Sequence, residues 1–249
     1  MCLGRTQEFK DIFIKGTLER EGIHASPEAL EETLRLQNIF DETVRKLKQK
    51  AEAYWKISYL NVRSLNWNHE HVEKDNFLTS SDIFGLGETW LRKGEEKHVT
   101  GFTGVFSNHG KGKGVAAFSK IKSIRMNSFA SEKFSFIHQR HGESDVIFVY
   151  LSSGCNKEEV FCHLKARIDI ERPTAIIGDF NIDSRKNDKF IKALENTGFV
   201  ELMKESTCDT GSWIDHIYIN EPLRLLDTSV QRESVYFSDH DIITLYIPK

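Results

Sequence analysis

Two hydrophobic periods divide the chain. Near the N-terminus, Thr33, Leu36, Phe40, Val44, Leu47 and Ala51 recur every three or four residues, the spacing of one apolar stripe on a helix. Ser26 followed by Pro27 offers an N-cap and a proline in the first turn. The pattern predicts an amphipathic helix of about 30 residues. Its stripe serves either as a docking face on the rest of the chain or as a partner-binding face. Residues 1–55 are accordingly read as a helical extension or linker.

From Lys56 onward the texture changes to short apolar runs between turns. Strands are predicted at Ile57–Val62, Ile83–Leu86, Gly114–Phe118, Val146–Leu151, Thr174–Gly178, Trp213–Ile219 and Ile242–Ile247. Several are apolar on both alternating sets. Along Trp213–Ile219, Ile214 and Tyr218 fall on one side and Ile217 and Ile219 on the other, the mark of a sheet covered on both faces. Helical patterns lie near Glu70–Thr79, at Lys157–Ile170, and at Asp188–Thr197, where Gly198 is placed to cap the end. Residues 56–249 thus read as one α/β domain with a buried sheet core.

Composition narrows the class. The chain has 249 residues, of which 39% are hydrophobic and 29% charged, ordinary for a soluble protein with one sizeable core. Lys plus Arg is 34 against 37 for Asp plus Glu, a net charge of −3, which excludes a histone-like whole-surface grip on nucleic acid but leaves room for a local basic groove. No run approaches the ~20 apolar residues that span a bilayer, and the first twenty residues are too charged for a secretory leader. Cys2, Cys155, Cys162 and Cys208 form no CxxC pair and have no histidines at zinc-finger spacing, so they read as reduced, structural thiols. An intracellular location is expected.

Polar residues recur where the predicted strands end. Asn61 sits in ISYLNVRSLN, Glu88 in GLGETWL, Asp179 and Asn181 in GDFNID, Asp215 in SWIDHIYIN, and Asp239 and His240 in SDHDI. Taken singly, each is ordinary loop or Asx-turn punctuation. Asp215 differs because its strand is apolar on both faces. A buried carboxylate there needs a partner, and His240 is the candidate. If strand geometry runs on through Asp179 and Asn181, the two share a face. As a set the residues suit phosphodiester hydrolysis. Glu88 and Asp239 are hard oxygen ligands for Mg²⁺, Asp179 and Asn181 can orient a water, and His240, held in one tautomer by Asp215, can stabilise charge on the phosphate.

The ordered series NVRSLN, GETWL, GDFNID, SWIDHIYI and SDHDI resembles the endonuclease/exonuclease/phosphatase, or DNase-I-like, superfamily across roughly Lys56 to Lys249. The NVRSL and GETWL forms, with the glycine-rich HGKGKGVAAFSK, look most like the endonuclease domains of mobile elements, non-LTR retrotransposons and helentron-type transposons among them. The resemblance implies a four-layer α/β sandwich of two packed mixed sheets flanked by helices, here with an N-terminal helical extension. It implies an Mg²⁺-dependent phosphodiesterase, with Mn²⁺ as a substitute. Carried over by motif, Glu88 is the principal metal ligand, with Asn61 and Asp239 beside it. Asp179 and Asn181 handle the water and the scissile phosphate, Asp215 pairs with His240, and His240 and Tyr150 contact the phosphate. Three positions depart from the common pattern: Gly87 stands where many members have Gln, Leu151-Ser152-Ser153-Gly154 lacks the usual proline, and Arg63 replaces an acidic residue of apurinic endonucleases.

The implied function is a DNA endonuclease that nicks a strand to leave a 3′-hydroxyl. It would act in the nucleus as a monomer, without a membrane, and a helicase or polyprotein context upstream is an expectation of the same resemblance. The alternatives are a phosphatase or lipid phosphodiesterase on the same fold, or a catalytically silent binding module. Two basic runs, Lys111, Lys113, Lys120, Lys122 and Arg125, then Arg185, Lys186, Lys189 and Lys192, read equally as phosphate contacts and as solvated turns and a helix face. Trp67, Trp90 and Trp213 read as core residues or, less commonly, as base-stacking rings.

Overall fold

The structure, a computed structural model, describes residues 26, 29, 31–36, 38, 39, 42, 53–109, 113–186 and 188–249. The chain divides into two units, Met1–Ala53 and Tyr54–Lys249. In the first, the described residues from 29 to 42 are helical. Ser26 caps them, its Oγ accepting from the Ala29 N–H at 3.2 Å. Thr33 and Leu36 of the expected stripe are exposed. Pro27, Phe40, Val44, Leu47 and Ala51 lie outside the described residues, as does Cys2.

The second unit is built on two six-stranded sheets. The first holds β1 (Tyr54–Asn61), β2 (Ile83–Gly87), β3 (Thr103–Asn108), β4 (Gly114–Ser119), β11 (Ser229–Glu233) and β12 (Ile242–Pro248), in the order β11-β12-β1-β2-β4-β3. The second holds β5 (Ile124–Ala130), β6 (Phe134–His141), β7 (Ser144–Leu151), β8 (Thr174–Asp179), β9 (Val200–Glu201) and β10 (Asp215–Ile219), in the order β5-β6-β7-β8-β10-β9. Each sheet has one parallel pair at its centre, β1 with β2 and β7 with β8, so the last residues of both strands in each pair emerge at one end. The helices are α1 (Leu65–Lys74), α2 (Asn76–Thr79), α3 (Lys157–Lys165), α4 (Lys189–Asn196) and α5 (Glu221–Arg224).

Side chains sort by strand alternation into layers. Ile57, Tyr59, Phe148, Ile177, Ile217 and Ile243 meet between the sheets. Ile147, Ile176 and Tyr218 face outward onto Val160 and Leu164 of α3 and Phe190 and Leu194 of α4. On the other outer face, Leu60, Phe84 and Phe118 pack with Leu65 and Val72 of α1 and Leu78 of α2. The result is the expected helix–sheet–sheet–helix sandwich. The sheets approach closely at Gly85, where an added Cβ would fall 2.3 Å from the Phe148 ring.

The strands predicted from doubly apolar runs are present, shifted by a few residues at their ends. Strands β3, β5, β6, β9 and β11 were not predicted. Most are edge or near-edge strands that lack a continuous apolar run: in β5 and β11, Ile124, Met126 and Val230 stand exposed between polar neighbours. The helix expected near Glu70–Thr79 begins earlier, at Leu65, and breaks at Asp75, whose N–H bonds the His71 carbonyl while its side chain accepts from the Leu78 N–H. One residue thus ends α1 and starts α2. The helix expected at Lys157–Ile170 stops at Lys165. The helix at Asp188–Thr197 is α4, capped by the Asp188 side chain and followed by Gly198 at φ 87°.

His141, at the end of the sandwich away from Asn61, is fully buried and neither ring nitrogen meets a partner among the described residues. Burial pushes its pKa down to about 4. An unfolded histidine takes a proton near pH 6.5, so the unfolded state binds more protons between those values, and stability falls as pH drops through the interval. Denaturation midpoints at pH 7 and pH 5 check this. Wild type loses on the order of 2 kcal/mol through this residue, and His141→Leu shows a correspondingly flatter pH dependence.

Candidate active site

The ends of β1, β2, β7, β8 and the start of β10 carry the polar residues. Asn61 is the last residue of β1 and is fully buried. Its Nδ2 donates to Glu88 Oε1 at 3.1 Å and to Asp179 Oδ2 at 2.8 Å. One amide thus joins a carboxylate that follows β2 to one that closes β8. Tyr150, opposite Asp179 in the β7–β8 register, donates its hydroxyl to Glu88 Oε1 at 3.1 Å. The Trp90 indole N–H reaches Glu88 Oε2 at 3.3 Å. Glu88 therefore receives three neutral donors. Burial, then the charges of Glu88 and Asp179, hold the Tyr150 phenol well above its ordinary pKa, so it stays a donor.

The loops after β1 and β2 extend the parallel ladder beyond the strands. Val62 N–H bonds Gly87 O at 3.0 Å, Ser64 N–H bonds Glu88 O at 2.9 Å, and Leu65 N–H bonds Thr89 O at 2.9 Å. Arg63, Ser64, Glu88 and Trp90 all adopt positive φ, at 49°, 95°, 48° and 54°. Each costs roughly 1 kcal/mol for a non-glycine residue and persists only where surrounding bonds impose it. Gly87 is needed for a different reason. A Cβ there would fall 1.9 Å from the Tyr59 hydroxyl, which lies buried in the layer beneath the carboxylates.

Asp179 and Asn181 are brought together, but by a turn and not by strand alternation. The strand ends at Asp179 and Asn181 turns left-handed at φ 50°. Its N–H donates to Asp179 Oδ1 at 2.8 Å, and its Nδ2 donates to Leu151 O at 2.7 Å. Burial, then the charge of Asp215, pushes the Asp179 carboxyl above the usual range.

Asp215 and His240 are partners, as the buried strand demanded. His240 Nδ1 lies 2.8 Å from Asp215 Oδ2, and both residues are buried. Burial alone would lower the His240 pKa. The hydrogen bond and charge of Asp215, with Asp179 and Asp239, reverse that and raise it to about 9. Thr207 Oγ1 also donates to Asp215 Oδ2, at 2.7 Å. Ser238 donates its hydroxyl to Asn61 O at 2.6 Å and accepts from the His240 N–H at 3.1 Å, tying the SDH loop to β1. Sequence reasoning missed Thr207, which sits in a polar loop with no distinguishing signal. Ser238 was inside a quoted motif but had no assigned role. Asp239 lies at the rim, bonded to the Arg63 guanidinium at 2.5 Å.

The arrangement suits a divalent cation. Oxygen or nitrogen atoms of Asp179, Asp215 and His240 lie within 4.8 Å of one another. Asp215 Oδ1 is buried and meets no donor among the described residues. Glu88 and Asp179 flank one neutral amide with no lysine or arginine bonded to either among the described residues. Hard carboxylate oxygens of this kind match Mg²⁺, and the one cation facing them among the described residues is His240, already paired with Asp215.

The first basic run does not form one patch. Lys113 precedes β4 at the site end, where the Gly114 carbonyl accepts from the Thr89 N–H. Lys120 lies at the opposite end, its ammonium on the Thr79 carbonyl and over the Phe102 ring. Lys122 and Arg125 follow it there, and Lys111 lies outside the described residues. Of the second run, Arg185 bonds Asp183 and lies 5.5 Å from the Trp213 ring. The core reading of the tryptophans fails: Trp67 is 87% and Trp90 50% exposed, and Trp213 is half-buried. Cys155, Cys162 and Cys208 are free thiols, none of them fully buried.

A profile of the Endonuclease/Exonuclease/phosphatase family matches residues 58–240. No curated protein matches the chain. Among solved structures, an AP endonuclease from Archaeoglobus fulgidus aligns with a TM-score of 0.65 at 18% identity, over 78% of this chain and 99% of that one. The 3′ phosphatase NExo from Neisseria, bound to a product DNA hairpin, aligns at 0.63 and 20% identity, over 78% and 100%. The endonuclease domain of TRAS1, a telomere-specific non-LTR retrotransposon, aligns at 0.61 and 16% identity, over 78% and 98%. At these identities the likeness is one of fold.

Two substitutions probe the geometry. In metal-free protein, Asp215→Asn removes the largest influence that raises His240, and an NMR titration of the imidazole moves down from about 9, with only the charges of Asp179 and Asp239 left to oppose burial. Gly87→Ala drives a methyl into the Tyr59 hydroxyl and lowers stability by about 1–3 kcal/mol. Adding Tyr59→Phe removes the struck atom and recovers part of that loss in chemical denaturation.

Proposed function

This chain belongs to the Endonuclease/Exonuclease/phosphatase family and is a phosphodiester hydrolase, and from that premise we propose that it is a divalent-metal-dependent DNA endonuclease of the mobile-element kind, which nicks a strand and leaves a 3′-hydroxyl. The observation that carries the reading is the single Asn61 amide shared by Glu88 and Asp179, with the Asp215–His240 pair at the same end of the sheets. DNA as substrate is supported by the company the fold keeps: an AP endonuclease, a phosphatase with a DNA hairpin, and a retrotransposon endonuclease domain.

Glu88, Asn61 and Asp239 are the residues to hold Mg²⁺, or Mn²⁺ in its place. The bound cation supplies positive charge to the phosphoryl and leaving oxygens. The chain's own groups do the rest. Asp179, raised by burial, is a better proton acceptor than an ordinary carboxylate and takes the proton of the attacking water. Asn181, fixed on the Leu151 carbonyl, orients the scissile phosphate. His240 has Nδ1 committed to Asp215 and is held protonated, so Nε2 donates to a phosphate oxygen as negative charge grows. Tyr150 acts through Glu88, whose carboxylate it steadies.

In this reading the enzyme works in the nucleus as a monomer, beside a helicase or other polyprotein domain of the same element. No helix among the described residues is long and apolar enough to cross a membrane.

Supercoiled plasmid with Mg²⁺ tests the proposal. Nicked circles form whose ends a polymerase extends, and chelator stops the reaction. Glu88→Ala and His240→Ala each slow it about 100-fold or more. Inositol phosphates release phosphate more slowly than plasmid is nicked. Absence of nicked circles, or nicking that survives both substitutions, would falsify the assignment.

A further inference from the structure

One exposed ring, Trp90, borders the candidate site, two more, Trp67 and Tyr236, stand on the segments that adjoin its loops, and the hydrolytic chemistry uses none of their faces. Trp90 is 50% exposed although its indole N–H is fixed on Glu88 Oε2. It is held there by a left-handed backbone and by Thr89, whose carbonyl accepts from the first residue of α1. Trp67, two residues further along α1, is 87% exposed. His71, one turn beyond Trp67 on the same helix face, accepts or donates at 2.8 Å to the hydroxyl of Tyr236, which is itself 81% exposed. The His71 ring is edge-on to Tyr236 at 5.2 Å and stacked on Phe237 at 5.5 Å. Phe237 precedes Ser238, which is bonded to Asn61. The rings are therefore anchored to the loops that carry Glu88, Asn61 and His240. Large aromatic faces left in water beside a catalytic centre point to a ligand with flat apolar faces of its own.

We propose that Trp90, with Trp67 and Tyr236, forms a stacking surface for unpaired DNA bases next to the scissile phosphate. The proposal rests on the phosphodiesterase reading above and names its substrate class: single-stranded or locally unpaired DNA in preference to continuous duplex. In a duplex each base face is covered by its neighbours, so only an unpaired or terminal base can lie on these rings. An inositol headgroup has no such face. Because Trp90 is fixed to Glu88, a base stacked on it places the adjoining phosphodiester at the carboxylate.

The test measures binding without turnover, by anisotropy of labelled oligonucleotides in the presence of EDTA. One strand carries all its bases, a second has base-free abasic analogues at its centre, a third is the first paired into duplex, and a fourth is its RNA counterpart. Wild type binds the base-bearing DNA strand about 10-fold or more tightly than the base-free strand, the range of one base–aromatic stack. Trp90→Leu erases that difference, Trp90→Phe keeps it, and Trp67→Ala and Tyr236→Ala each reduce it. Equal binding of the base-free strand overturns the proposal. So does a Trp90→Leu loss that is the same for both strands, tighter binding of duplex or RNA, or ring-dependent binding to phosphatidylcholine vesicles in place of DNA. If Trp90→Leu fails to fold, the Trp67 and Tyr236 variants decide. Plasmid nicking without base discrimination sinks this inference alone, and base discrimination without any hydrolysis sinks the nuclease assignment alone.

Discussion

Everything at the active end depends on one amide. Asn61 Nδ2 donates to a carboxylate from each sheet, at the point where the two sheets come nearest to presenting bare negative charge to each other. A neutral double donor is what that position needs. An aspartate there would add another buried charge, and an aliphatic residue would leave two carboxylate oxygens unsatisfied at a cost of a few kcal/mol. The bond also fixes the relative height of β1 and β8, and with it Glu88, Asp179 and Asn181. Burial and the charge of Asp215 keep Asp179 raised although the Asn61 and Asn181 donors act to lower it. The site is therefore assembled and electrostatically frustrated before any cation arrives, a common design for groups that must act on protons.

That arrangement demands backbone strain. Arg63, Ser64, Glu88 and Trp90 sit at positive φ, in the two loops that continue the β1–β2 ladder. The three interloop hydrogen bonds and the buried Leu65 and Thr89 hold the strained residues in place. Each left-handed residue redirects its side chain, and this lets Glu88 and Trp90 meet through a hydrogen bond. Gly87 and Tyr59 belong to the same solution. The missing Cβ at 87 admits a phenol from β1, so the layer under the carboxylates is filled by a ring and excludes water.

The sequence was most legible where physics is most demanding. Strands buried on both faces, such as β8 with TAIIGD, need apolar residues at every position and announce themselves. Edge strands such as β5 and β11 are exposed along much of their length, mix polar with apolar residues there, and look like loops. The Asp215–His240 pair was legible because a carboxylate in an apolar strand requires a partner. Of the two geometries the sequence allowed for Asp179 and Asn181, the Asx turn is the one present, because the strand ends at Asp179 and Asn181 turns left-handed. The basic run from Lys111 to Arg125 failed as a patch for a simple reason. A six-residue strand spans about 20 Å, so residues close in sequence on either side of β4 lie at opposite ends of the sheet. Thr207 left no trace, because a threonine in a polar loop acquires meaning only when the fold sets it on Asp215.

The constellation proposed above does not by itself distinguish substrates, because every role assigned to it addresses the phosphodiester and none addresses what the phosphate is attached to. Selectivity must come from groups at the rim that touch the rest of the molecule. Here Arg63 is bonded to Asp239 and Trp90 to Glu88, so these two exposed side chains are each tied to a carboxylate of the proposed site. A contact made at the rim is then mechanically coupled to the position of a carboxylate. Affinity for the flanking nucleotide can therefore be spent on holding the reacting phosphate in place, the use of remote binding energy that raises the rate of the chemical step along with the tightness of binding.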